Sequence, residues 1–319
     1  MKEKLVLTVI VFAVVVSLIL GLKSIMSPTK NREDFNADKV ILTESKKVKK
    51  SHSFVEQVEE KASIPEIKQR KLAGLFNPTG KNIYKIYECQ LKEVCDLKPP
   101  YSEEIKKELY DYLLLGNNDR LGLHVKDEIL RKLEKQDKCS EDHLDFLSEL
   151  SFDQTIDGDL RGYAVQHLRS EYEKANMDQK EKIRKTFKNG IFDIKSDVSG
   201  TAALAVTALS KKYPKEFDKE LVNQAVLNLA VNSELHIPSR ISAIQSCGEL
   251  KIIESLPTVQ NLAYAVKGDK TLRLVAIAAL GELGSKEDIL KLEDLIVNGH
   301  RFFKPAAKLA IKKLKNKKN

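Results

Sequence analysis

The stretch TLRLVAIAALGELGSKEDILKLEDLIVNG, Thr271–Gly299, holds two apolar helical segments with Gly284-Ser285 between them. In the first segment Leu, Val, Ile and Ala recur at i, i+3, i+4 and i+7, which makes one broad stripe on a helix of 3.6 residues per turn. A small residue, Ala276, stands at the centre of that stripe and lets a neighbouring helix approach closely. A stripe this broad cannot be buried within one helix pair, so the pair needs stacked neighbours.

The neighbours are written in the same chain. Arg273, Ala276 and Leu280 set a figure that returns at Arg240, Ala243 and Cys247, and again at Arg161, Ala164 and Leu168. Looser copies are Ala202, Ala205 and Leu209, then Lys126, Ile129 and Leu133, and last Lys304, Ala307 and Ile311. The central positions 129, 164, 205, 243, 276 and 307 are 35, 41, 38, 33 and 31 residues apart. A helical period in that range marks a helix-pair solenoid. Second helices follow at DHLDFLSELS, QKEKIRKTF, KELVNQAVLNLAV, SLPTVQNLAYAV and EDILKLEDLIV. The turns carry helix punctuation. Gly284 and Ser285 offer an end and a cap, with Glu287 and Asp288 in the next first turn. Pro238 and Pro257 fall where a first turn accepts proline, and Asp157, Asp159 and Asp197 precede first helices.

These segments resemble HEAT or HEAT-like repeats in the pre-helix turn, the Arg or Lys three before the Ala, and the apolar ladder. The resemblance is clearest over residues 235–315, fair over 157–210 and weak over 120–150. It implies an all-α, right-handed helix-pair solenoid. It also implies that Ala164, Ala243 and Ala276 are structural repeat positions. Arg161, Arg240 and Arg273 would then bind turn carbonyls or a neighbouring cap, with a ligand-facing ladder as the alternative. The expected organisation is a membrane helix at 1–26, a flexible charged linker at 27–69, a capping region at 70–120 and repeats over 121–319. Within the cap, Tyr101–Gly116 reads as an amphipathic helix with Ile105, Leu109, Leu113 and Leu114 on one face. At the far end FFKPAAKLAIKKLKNKK should pack its apolar side inward and turn its lysines to solvent.

Leu5–Leu22, LVLTVIVFAVVVSLILGL, is 18 residues without a charge. As a helix it would be roughly 27 Å long, close to the hydrocarbon thickness of a bilayer. That length and the lack of a small-x-small site favour an uncleaved signal-anchor over a cleaved signal, which stays open. Lysines flank both ends, so the positive-inside rule discriminates weakly. A short basic N-tail left in the cytoplasm would put the solenoid outside it, in the periplasm if the cell is Gram-negative. Between anchor and repeats, NIYKIYECQLKEVC, Asn82–Cys95, reads as a short strand or an irregular packed segment, and Cys89 and Cys95 are a possible disulfide in an oxidising compartment. If the two lay on one helix they would be too far apart to bridge. Cys139 and Cys247 read as structural thiols.

Composition limits the chemistry. Trp is absent and Gly numbers 14 of 319, which disfavours glycine-loop nucleotide folds. The formal net charge is +8, but residues 304–319 hold seven Lys and no acid, which leaves about +1 for residues 1–303. Lys312, Lys313, Lys315, Lys317 and Lys318 are therefore the candidate contact with anionic lipid or nucleic acid, while a near-neutral body makes broad nucleic-acid binding an unexpected role. No catalytic, cofactor or metal motif stands out. Cys139 and His143 have i, i+4 spacing but no further ligands nearby, and DQTIDGDLRG, Asp153–Gly162, reads as a connecting turn rather than a calcium loop. The expected function is a non-catalytic, membrane-tethered scaffold that binds a protein, with an envelope or secretion component as one partner class. The interface would lie on a concave face built by the second helices. The alternatives are a lyase-type HEAT-like enzyme subunit and anionic binding through the basic tail.

Overall fold

The computed structural model describes residues 71–136, 138–193 and 198–317. The anchor Leu5–Leu22, the linker at 27–69, Asp197 and Lys318 lie outside them. Among the described residues no helix is long and apolar enough to cross a membrane, and every regular element is helical. The order is α1 (Ala73–Phe76), α2 (Ile83–Asp96), α3 (Glu103–Leu115), α4 (Arg120–Glu134), α5 (Glu141–Phe152), α6 (Gly158–Glu171) and α7 (Met177–Phe192). It continues with α8 (Ser199–Lys212), α9 (Lys219–Val231), α10 (Ile237–Leu250), a 3-10 turn (Ile253–Ser255), α11 (Leu256–Tyr264), α12 (Lys270–Leu283), α13 (Asp288–Val297) and α14 (Lys304–Lys315).

The helices begin where side chains can take up their free N–H groups. Asn82, Ser102, Asp119, Ser140, Asp157, Asp218 and Asp269 each cap a helix through a side-chain oxygen. Asn176 and Gln179 form a full capping box at α7. Pro238, Pro257 and Pro305 stand in first turns, where no donor is lost. The turn from α12 to α13 departs from a simple Ser cap. Ser285 Oγ does accept from Glu287 N at 3.2 Å. Asp288, however, is buried, and its carboxylate takes Ser285 N, Gln260 Nε2 and Tyr264 OH at 2.9 Å each. Gly284 is needed here because an added Cβ would lie 2.6 Å from Asp288 Oδ2 and 2.7 Å from Leu280 O.

The even-numbered helices form a continuous row in which α2, α4, α6, α8, α10, α12 and α14 each touch the next. The odd-numbered helices from α3 to α13 each pack against the even helix that follows. All six central positions of the sequence repeat fall in the even row, and none is more than 3% exposed. One contiguous apolar core runs from Leu72 to Leu314. Hydrogen bonds between units keep the sequence period, with partners 33 residues apart for Tyr110–His143, 37 for Tyr87–His124, 41 for Lys182–Glu141 and 31 for Lys313–Glu282.

Asn82–Cys95 is not a strand or an irregular segment. Asn82 Oδ1 accepts from Tyr84 N and Lys85 N at 3.1 Å each and starts α2. The clustered Ile83 and Tyr84 suggested a strand, yet both are exposed, and the helix packs through Tyr87 and Val94, a helical i, i+7 pair. This placement also removes the Cys89–Cys95 disulfide. Both thiols are free. Six residues of helix separate them by about 9 Å along the axis, beyond the roughly 4.4–6.8 Å between Cα atoms that a disulfide spans. In α3 the inward face is Leu109, Tyr112 and Leu113, while Leu114 is exposed. Leu114 stands one position past the stripe, which turns it about 100° away.

Candidate interaction groove

The odd row leaves a gap between α7 and α9. On α7 the buried stripe is Ile183, Phe187, Gly190 and Ile191, and on α9 it is Val222, Ala225, Val226 and Leu229. Phe192 and Leu221 each stand one residue off their stripe and remain 42% and 39% exposed. With Ile191, Val206, Phe217, Val222 and Ala225 they line an open cavity of about 290 Å³. Its rim carries Glu181, Arg184, Lys185, Lys188, Glu216 and Asp218.

The rim acids are already occupied. Glu216 accepts from Tyr172 OH at 2.6 Å and from Arg184 Nη1 at 3.2 Å, and Lys180 Nζ stands at 3.4 Å. The Tyr172 hydroxyl bond, followed by the Lys180 and Arg184 charges, holds the Glu216 carboxyl below its ordinary range. Burial first, and Glu216 second, push the Tyr172 hydroxyl up to about 12. Glu181 pairs with Arg184 at 2.5 Å. Asp218 Oδ1 caps α9 by accepting from Leu221 N at 3.1 Å. Lys180 Nζ lies 5.1 Å from the Tyr172 ring centroid and 4.9 Å from that of Tyr213, a cation held between two aromatic faces. Lys185 and Lys188 remain, exposed and with no ion-pair partner among the described residues.

A second polar cluster ties α4 to α6. His167 is 6% exposed, with Nδ1 2.6 Å from Glu134 Oε2 and Nε2 3.5 Å from Asp127 Oδ1. Burial alone would lower its pKa, but hydrogen bonds to Asp127 and Glu134 outweigh that and raise it. Nearby, His143 is 2% exposed and shares Nδ1 with Tyr110 OH at 3.0 Å. Burial, and then the His167 and Lys174 charges, push it down to about 4. Cys139 precedes α5 rather than sharing a helix face with His143, and burial with Glu171 pushes its thiol up to about 12. Among the described residues no group of three or more His, Cys, Asp or Glu could hold a metal ion. This cluster is a packed polar joint between α4 and α6.

The other sequence candidates are scattered along the stack. Arg273 Nε donates to Ala263 O at 3.1 Å, in the last turn of α11 rather than in the connection after it, and its guanidinium lies 4.4 Å from the ring of Phe303, the cap residue of α14. Arg161 is buried on α6, and its charge helps Thr155 hold the Asp153 carboxyl down. Arg240 is half-buried on α10. Of Asp153–Gly162, the first five residues are the connecting turn and the rest open α6: Asp153 Oδ1 accepts from Thr155 N at 2.9 Å, and Asp157 caps α6. Cys247 is buried and its thiol is pushed up to about 11 by burial. In the tail, Lys313 pairs with Glu282 at 2.5 Å, Lys315 with Glu293 at 3.4 Å, and Lys317 Nζ donates to Gly284 O at 2.8 Å. Lys312 is exposed.

The groove was missed in the sequence, although a signal exists. Phe192 and Leu221 are large apolar residues adjacent to the buried stripe, a position that packing within the repeat does not call for. No family model matches the chain, and no curated protein matches it either.

Proposed function

We propose that this chain is a membrane-tethered scaffold, a right-handed HEAT-like solenoid that binds another protein through its odd-numbered helices. The observation that carries the reading is the α7–α9 groove, where Phe192 and Leu221 stay exposed beside a continuous core. An apolar floor with a polar rim is what a protein partner buries. The volume of about 290 Å³ is at or below the low end of small-molecule sites and is open to solvent, which suits side-chain anchors better than an enclosed substrate. The tether reading rests on the uncharged run Leu5–Leu22, and an extracytoplasmic placement of the repeats rests on the short basic N-tail before it.

The test is site-specific photo-crosslinking in intact membranes. A photoreactive residue at Phe192 or Leu221 of the full chain should give a discrete protein adduct, and one at Leu290, exposed on α13, should give none. Adducts from Leu290 alone would move the interface away from the groove, and no adduct from any position would end the scaffold reading. Side of membrane is read separately, by impermeant thiol labelling of a Ser51→Cys chain whose native cysteines are replaced. Labelling without lysis is expected, and labelling only after lysis would put the repeats in the cytoplasm.

A further inference from the structure

We infer that the α7–α9 groove takes an acidic amphipathic helix, one that places its apolar side chains on Phe192 and Leu221 and its carboxylates on Lys185 and Lys188. The inference rests on the protein-binding reading and adds the chemistry of the partner.

The charges decide the sign. Six charged residues line the groove, three of each sign, so by simple count it selects nothing. The count changes once partners are assigned. Arg184 serves Glu181 and Glu216, and Lys180 adds a second cation to Glu216. Asp218 faces the N–H groups at the start of α9, where the helix dipole already offsets a negative charge. Lys185 and Lys188 are left exposed and unpaired among the described residues. The uncommitted charge of the rim is therefore two positives, with no free acid to oppose them.

Spacing decides the shape. Lys185, Lys188 and Phe192 stand at i, i+3 and i+7 on α7 and so share one face. Two adjacent cations lead along that face to one exposed aromatic ring. A helix laid in the gap would need two carboxylates a turn apart and then an apolar residue, the helix-in-groove pattern. Nucleic acid fits less well. Only two cations are free, Tyr172 is buried in the core, and the Tyr213 ring lies under Lys180.

The experiment uses the full-length chain in nanodiscs, with empty nanodiscs as blank, and two synthetic 16-residue peptides. Both carry Leu and Phe at helical i, i+3, i+7 spacing. One has Glu at the flanking polar positions and the other has Lys. Binding is read by fluorescence anisotropy at two salt concentrations. The Glu peptide should bind about threefold to tenfold tighter than the Lys peptide at low salt, since two exposed ion pairs are involved, and the gap should narrow at high salt. The double variant Lys185→Glu with Lys188→Glu should invert the preference. Both substitutions are on exposed positions, so folding is expected to persist and far-ultraviolet circular dichroism checks it. Phe192→Ala should weaken both peptides alike. Equal binding of the two peptides, or an unchanged preference in the double variant, overturns the acidic partner. Binding of neither peptide also overturns it. Crosslinked protein adducts at Phe192 in the same chain would then show that the scaffold reading stands with a partner of different chemistry, and their absence would take both down.

Discussion

Between α4 and α6 the contact is an imidazole, His167, held by two carboxylates. Between α8 and α10 it is a missing side chain: a Cβ on Gly200 would lie 2.5 Å from Ser239 Cα. The two ends of the stack keep this difference. From α2 to α6 the units join through Tyr87–His124, Lys132, Tyr110–His143 and the His167 triad. From α8 to α14 they join through backbone approach: a Cβ on Gly248 would lie 3.1 Å from Ala279 Cα, and one on Gly281 would lie 2.8 Å from Ala310 Cα. One architecture is therefore reached by two routes. Polar side chains at repeat spacing give a joint that titrates, and small residues give a joint fixed by steric fit.

The largest effect should come from filling a small-residue joint. Gly200→Val would push a branched side chain into the backbone of α10, and neither partner is a flexible tip that can yield. The cost should be about 3 kcal/mol, at the upper end of overpacking. Because units in a stack are coupled mainly to their neighbours, the loss should be local. Hydrogen exchange should speed up in α8 and α10 and change little in α2 and α4. Uniform acceleration along the chain would show that the two ends do not behave as separable regions.

A comparable effect is expected at the polar joint, but only when pH is varied. His167 has a raised folded pKa, so its contribution is fully present below the unfolded value of 6.5 and is lost as pH rises through the folded value. His143 has a folded pKa lowered to about 4, so its buried neutral ring favours the fold above 6.5, and this support is lost as pH falls from 6.5 toward 4. That interval corresponds to about 3 kcal/mol for His143. The two histidines thus weaken the joint on opposite sides of pH 6.5. His143→Phe should flatten the fall in urea midpoint between pH 6.5 and 5, and His167→Gln should flatten the fall on the alkaline side. Parallel wild-type and variant profiles would remove the histidines from the pH response. Gly281→Ala, in the other half, should leave the shape of the profile unchanged.

The same contrast explains what could be read in advance. A small residue at the centre of an apolar stripe recurs visibly in sequence, and Ala164, Ala205, Ala243, Ala276 and Ala307 all fall in the buried even row. The repeat was clearest over residues 235–315, where the joints are made of such residues. Over 120–150 it faded, because His124, Lys132 and His143 look like surface residues until a partner some 33 to 37 residues away is in place. Lys126 hides in the same way, with a nearer partner. It holds the repeat's basic position, is 1% exposed, and donates to Asn118 Oδ1 at 2.5 Å, with burial pushing it down to about 8. Local clustering misled once more at Ile83, Tyr84, Ile86 and Tyr87, where a β-like run outweighed the helix cap at Asn82. The groove was hidden for another reason. A gap between two helices depends on what each leaves uncovered, which neither segment states alone.

The smallest effects should separate the two ends through a device both share, a lysine donating to carbonyls at the C-terminal end of an even helix, where the dipole favours positive charge. Lys132 Nζ donates to Cys95 O at 2.5 Å in the last turn of α2 and to Leu97 O at 3.1 Å just past it, and it is 8% exposed. Lys317 Nζ donates to Gly284 O at 2.8 Å past the end of α12, from an exposed position. Methionine keeps most of the stem and removes the charge. Lys132→Met leaves two carbonyls without their donor in a site closed to water, so about 2 kcal/mol should be lost. Lys317→Met should cost about 0.5 kcal/mol, because water can replace an exposed donor and salt already screens the charge. Urea midpoints with unchanged slopes measure both. Equal losses would mean that burial does not set the strength of these caps, and the polar end would then owe its cohesion to its histidine contacts rather than to Lys132.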